Sequence, residues 1–176
     1  MEQNRQTVYS HIRANAPSES SPGMLESLDG RHPLSRDRMW QFVDHLIEIF
    51  RRLNFKQGDE IAVVLPNGPS YTTSLLAVME CGVAVPMPPD RLFEEFGKEM
   101  YPKAVLFSED CLPVTDVLEI GRACGMSLVG IREDVRIAGL FQVSMVEHPS
   151  DQRSDERISL PGKEECDLAL ILNTSG

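Results

Sequence analysis

Residues 58–90 read GDEIAVVLPNGPSYTTSLLAVMECGVAVPMPPD, and the order of elements in this stretch decides the fold. Ile61 to Leu65 is apolar at every position, short and rich in β-branched residues. That composition predicts a strand covered on both faces, as in a parallel sheet. Pro66-Asn67-Gly68-Pro69 ends it, and Ser70 to Cys81 reads as a helix with Tyr71, Leu75, Val78 and Met79 on one side. Gly82 stands where a left-handed C-terminal cap is expected. Val83 to Met87 is a second short strand, after which Pro88-Pro89-Asp90 halts the chain and opens a helix from Arg91 to Met100.

The same rhythm extends in both directions. Upstream, Met39, Phe42, Val43, Leu46, Ile47, Ile49, Phe50 and Leu53 recur at spacings of three and four, the stripe of a helix over Asp37 to Leu53. Ser35 is its expected hydroxyl cap, and Arg51 and Arg52 complement the negative end of its dipole. Downstream come a third strand, Ala104 to Phe107, and a helix capped by Thr115 that runs through Val117, Leu118, Ile120 and Cys124 to Gly125. A fourth strand spans Ser127 to Ile131. No hairpin signal is read between them, so the sequence predicts an α/β fold: three layers, a largely parallel sheet, helices on both faces. Residues 147–165 are polar and read as a solvated loop, and Leu168 to Leu172 is expected to be a fifth strand. Residues 1–28, rich in Ser, Pro and Glu after Ala14, read as a flexible arm, leaving 29–176 as one incomplete domain.

Composition narrows the functional classes. The 176 residues are 41% hydrophobic and 25% charged, ordinary for a globular protein, with a net charge of -10. That charge opposes generic binding to nucleic acid or to an anionic membrane. No run approaches a membrane span and the start lacks a secretory pattern, so a cytoplasmic location is expected. Cys81, Cys111, Cys124 and Cys166 form no Cys-x-x-Cys pair and read as reduced, mostly buried thiols. His11, His32, His45 and His148 are isolated and predict no metal site. Asp59-Glu60 reads as a solvated turn, and Asn67-Gly68-Pro69 as a turn before it reads as a ligand contact.

The chain closes on DLALILNTSG, residues 167–176. An aliphatic strand passing into Thr174, Ser175 and Gly176 has the makings of an anion loop. Glycine allows successive amides to converge, and the hydroxyls add donors without bulk. This ending resembles the approach to the phosphate-binding signature of the adenylate-forming synthetases, which include acyl-CoA synthetases, peptide-synthetase adenylation domains and luciferases. Phe55 to Asp90 resembles the family's early strand–helix–strand pattern, and Asp29 to Leu53 its opening helix. Arg36, where an aromatic is frequent, and the proline-heavy Pro86-Met87-Pro88-Pro89 depart from that pattern.

The resemblance implies an N-terminal fragment of an AMP-binding ligase that ends inside the phosphate loop. Such an enzyme activates a carboxylic acid with ATP and Mg²⁺ as an acyl-adenylate and passes it to the thiol of CoA or a carrier protein. Medium- or long-chain acyl-CoA synthetases, enzymes of fatty acid metabolism, are the nearer subgroup by texture. It assigns Thr174 and Ser175 as hydroxyl donors to the ATP phosphates and Gly176 as the backbone hinge. No catalytic residue and no metal ligand carries over. The fragment alone is expected to be inactive, to bind neither cofactor tightly and to self-associate through uncovered apolar surface. The rival readings are a stand-alone doubly wound domain that binds a nucleotide or protein, and a non-catalytic synthetase remnant.

Overall fold

The computed structural model describes residues 7–16, 25–91 and 102–147. A five-stranded sheet carries the architecture, in the order β2-β1-β3-β4-β5. Its strands are β1 (Glu60–Val64), β2 (Val83–Pro86), β3 (Ala104–Ser108), β4 (Ser127–Glu133) and β5 (Phe141–Glu147). The first four are parallel, and β5 runs antiparallel to β4. Among the described residues four α-helices accompany them: α1 (Val8–Ala14), α2 (Arg36–Arg52), α3 (Pro69–Cys81) and α4 (Val114–Cys124).

Side-chain alternation divides the core by the sheet plane. Ile61 and Val63 of β1, with Ala104 and Leu106 of β3, point to the face that α2 and α3 cover. Ala62, Val64, Val105 and Phe107 point to the other, where Val117 of α4 packs. Both sets are 1% exposed or less, which is why the strands are apolar at consecutive positions. At roughly 1.5–3 kcal/mol for each buried side chain, these contacts outweigh local propensity.

Several local expectations are corrected. Ser35 is the N-cap of α2 by position, yet its side chain makes no capping bond. Helix α4 starts earlier than expected, with Pro113 at the N-cap, and the Thr115 hydroxyl donates to Asp116 Oδ1 at 3.1 Å instead of capping. Gly82 is extended, φ −166°, and not left-handed. A glycine is needed there because an added Cβ would lie 2.6 Å from the Asp59 carbonyl oxygen. Gly125 does close its helix in the left-handed region, φ 64°.

The four strands read from the sequence are parallel as expected, and beyond them a fifth, β5, was not read. Asp134 Oδ1 accepts the amides of Arg136 and Ile137 at 2.7 and 2.9 Å, and the Asp134 amide donates to Leu140 O at 2.9 Å, organising the loop 134–140 that returns the chain into β5. Within the stretch read as an arm, α1 forms. Thr7 caps it through the Ser10 amide, and Tyr9 stacks edge-on against Trp40 with centroids 5.5 Å apart. The Tyr9 hydroxyl donates to Asp44 Oδ1 at 2.6 Å, and Arg13 pairs with the same carboxylate at 2.7 Å. Those contacts are with residues over thirty positions away, which a local reading of Ser- and Pro-rich sequence does not reveal. A 3-10 turn spans Pro89–Arg91, and residues 92–101, on which the helix expected over Arg91–Met100 falls, lie outside the described residues. So do 148–176, and with them the expected strand Leu168–Leu172.

Candidate functional site at the carboxyl rim of the sheet

Strand order places the first element of the site. From β1 the chain crosses to β2 on one side, and from β2 it passes back over β1 to β3. Connections therefore part around β1, and ligands of open α/β sheets gather beyond the carboxyl ends of strands at such a point. Here those ends are Leu65–Gly68 after β1, Met87–Pro89 after β2 and Glu109–Pro113 after β3.

The loops after β1 and β2 enclose a shallow cleft of about 220 Å³, lined by Leu65, Pro66, Asn67, Tyr71, Pro86 and Met87, with Pro88 and Pro89 at its lip. Leu65 and Met87 are buried and form its floor, whereas Pro66 and Asn67 are exposed. Asn67-Gly68-Pro69 is thus the turn the sequence predicted, and its first residue also walls a cleft. Burial raises the Tyr71 hydroxyl's pKa above its ordinary value. Pro69 at the first position of α3 supplies no N–H, and Gly68 offers no side-chain cap. The positive end of the α3 dipole consequently faces this rim without a side-chain carboxylate capping it.

Beyond β3, Glu109 leans over Gly130 of β4. Its carboxylate accepts from the Ser144 hydroxyl on β5 and pairs with Arg132 at 2.9 Å, which ties three strands together. At the opposite, amino edge, Asp59 is 2% exposed. Its Oδ2 accepts the Lys56 amide at 2.8 Å and Lys103 Nζ at 2.6 Å. Asp59 is thus a structural ion pair joining the starts of β1 and β3, not the solvated turn expected of it.

The assigned phosphate residues Thr174, Ser175 and Gly176 lie outside the described residues, as do His148 and Cys166. His11, His32 and His45 are exposed on separate elements, and among the described residues no group of three His, Cys, Asp or Glu could hold a metal ion. Cys81 is buried as expected, with its thiol pushed up to about 11 by burial, whereas Cys111 is exposed. No described helix is long and apolar enough to cross a membrane. Sequence reasoning did not assemble the cleft, because Pro66, Tyr71 and Pro86–Pro89 become neighbours only through the parallel pairing of β1 and β2.

No family model matches the chain. It is 27% identical over 165 residues to a probable CoA ligase, CCL9, of Humulus lupulus, a match covering 92% of this chain and 30% of that protein. Its fold is similar to a long-chain-fatty-acid-CoA ligase, FadD1, of Archaeoglobus fulgidus, with a TM-score of 0.57 at 12% identity over 74% of this chain and 28% of that one. It is also similar to the anthranilate CoA ligase AuaEII in complex with anthranoyl-AMP, with a TM-score of 0.54 at 11% identity over 66% and 22% of the two chains. The chain therefore spans about a third or less of these proteins. Sequence and fold comparisons alike fall among CoA ligases, and the likeness to adenylate-forming ligases read from the sequence holds.

Proposed function

We propose that this chain is the N-terminal portion of an ATP-dependent acid–thiol ligase, whose whole activates a carboxylic acid as its acyl-adenylate and transfers the acyl group to CoA or a carrier-protein thiol. The observation that carries this reading is the match to a CoA ligase along 92% of the chain, in company with a doubly wound sheet of the same fold. In this reading Thr174 and Ser175 donate hydroxyl hydrogen bonds to the ATP phosphates and Gly176 turns the backbone so that amides converge on them. ATP and Mg²⁺ are the cofactors of the whole enzyme, and Mg²⁺ supplies charge neutralisation at the phosphoryl oxygens. Residues 1–176 alone are inactive, since two hydroxyls and a glycine make only part of an anion site. A cytoplasmic enzyme of medium- or long-chain acids is the subgroup favoured.

The test is acid-dependent ATP–pyrophosphate exchange. A longer polypeptide that continues through the loop should exchange, and Thr174→Ala with Ser175→Ala should lower its rate by roughly 10²-fold, the scale of losing a preorganised donor. The 176-residue chain should not exchange. Robust exchange by it, or an unaffected rate in the double variant, would overturn these assignments.

A further inference from the structure

Strand β5 ends the sheet on its side, and among the described strands nothing pairs with its outer edge. The direction of its backbone groups follows from its neighbours. The Glu109 amide donates to Ile131 O, so Ile131 turns its peptide groups toward β3, and by alternation Gly130 and Arg132 turn theirs toward β5. Gly130 and Arg132 stand opposite Ser144 and Gln142. Ser144 and Gln142 therefore bond back to β4, and the amides and carbonyls of Phe141, Val143 and Met145 point outward. The bond from the Asp134 amide to Leu140 O keeps the same alternation.

Sheet edges are ordinarily blunted by a lysine, a proline, an inward charge or a bulge. Phe141 to Val146 contains no charged residue and no proline. The irregularity in its pairing falls opposite Leu128 and Val129, at the far end, and leaves Phe141 to Met145 in regular register. Its side chains are accessible as well. Gln142 and Ser144 are exposed on one face of the sheet, and Met145 is 40% exposed on the other.

This edge fits a second copy of itself. About a twofold axis through Val143, an antiparallel partner strand sets Val143 opposite Val143, Phe141 opposite Met145 and Gln142 opposite Ser144, so apolar residues meet apolar ones and amide meets hydroxyl. Moving the axis to Ser144 would instead oppose Phe141 to Glu147 and Gln142 to Val146. Such an axis stands perpendicular to the sheet, so each pair keeps to one face, and the exposed Met145 of either copy is covered by Phe141 of the other. Charge favours the same place. At a net charge of -10 two copies repel overall, and an uncharged strip is where they approach at least cost.

We propose that two copies of this chain pair antiparallel through β5, centred on Val143, and join their sheets into one continuous sheet. The same patch serves both copies, as in any twofold dimer. A seven-residue edge is a small interface beside the roughly 1,200 Å² at which stable ones begin, so the dimer is weak and forms as concentration rises. The pairing is independent of the ligase reading, since it uses neither the cleft nor the phosphate residues.

Sedimentation velocity of the 176-residue chain over a concentration series, with amide hydrogen exchange read residue by residue, tests this. Where the dimer is populated, the Phe141, Val143 and Met145 amides should exchange roughly tenfold or more slowly than in the dilute chain. The Gln142 and Ser144 amides, bonded to β4, should be protected equally in both. Met145→Pro removes an outward donor and no bond to β4, and should abolish the dimer. A monomer at every concentration, or a dimer in which the three outward amides exchange as fast as in the dilute chain, would overturn the proposal. So would equal protection of those amides at all concentrations, because the edge would then be covered within one copy, and so would a Met145→Pro chain that still dimerises.

Discussion

Replacing Gly82 by Ala and by Asn tests why glycine follows α3. At φ −166° the backbone is extended and open to any residue, so the constraint is space alone. An Ala Cβ would sit 2.6 Å from Asp59 O and 3.1 Å from Ile61 Cδ1, where ordinary contact begins at 3.4 Å. Moving the carbonyl also strains its 2.8 Å bond from the Val83 amide, the first rung between β1 and β2. Overpacking of this kind costs about 1–3 kcal/mol, and the weakened hydrogen bond adds about 1 kcal/mol. Urea unfolding followed by Trp40 fluorescence should therefore show Gly82→Ala destabilised by roughly 2–4 kcal/mol, a fall in Tm of roughly 4–16 °C. Gly82→Asn, being larger, should be worse. Gly125, at φ 64°, is the control. There Ala should cost about 1 kcal/mol, and Asn, which tolerates the left-handed region, should cost less. If Asn proves milder than Ala at position 82, the close approach to Asp59 is not the reason for the glycine.

Tyr9→Phe removes the hydroxyl that donates to Asp44, and should cost about 1 kcal/mol and loosen α1, read as a red shift of Trp40 emission. Burial and the Asp44 carboxylate hold the Tyr9 pKa well above its ordinary value of 10.0. The folded state thus keeps a proton that the unfolded chain loses above about pH 10. Stability from this group is complete below that pH and falls as pH rises beyond it, and Tyr9→Phe should flatten that part of an alkaline denaturation curve. Lys103→Met removes the ammonium that pairs with Asp59 Oδ2 and should cost roughly 1.5–3 kcal/mol in urea unfolding. In the native chain at pH 8, a thiol reagent should modify exposed Cys111 rapidly and leave Cys81, whose thiol is pushed up to about 11, unmodified until unfolding.

The interior of the fold was legible because its strands are apolar on both faces and its helices on one. Ile61–Leu65 and Ala104–Phe107 could be neither loop nor surface, and each is a central strand. What the sequence hid are features set by partners far along the chain. Tyr9 ties α1 down through Asp44, and Thr7, besides its local cap, bonds Glu80. The strand Phe141–Glu147 carries a two-residue alternation through Phe141, Val143 and Met145, yet it is only half apolar and its turn depends on one Asp134 carboxylate. Asp59 looked like a solvated turn residue because Lys103, its cation, lies 44 positions away. The cleft was hidden for the same reason, since Pro66 and Pro88 adjoin only once β1 and β2 pair.

Two criteria for the site point to different gaps at the rim. Strand order alone selects the space between β1 and β3, where connections part, whereas the cleft opens between the loops after β1 and β2. Sequence chemistry resolves the conflict. The β1–β3 side is bordered by buried Leu112 and by Glu109, whose carboxylate disfavours an anion and is already engaged with Ser144 and Arg132. The β1–β2 side has Asn67, the Tyr71 hydroxyl and the uncapped start of α3, all donors or positive dipole ends. A phosphate at the second gap would meet donors and a positive dipole end, and at the first a carboxylate. Charge reversal should separate the two gaps. Asn67→Asp should weaken nucleotide binding by a longer polypeptide at least tenfold, measured by equilibrium titration, whereas Glu109→Gln should leave it within twofold. Equal losses from both would return the site to the β1–β3 gap.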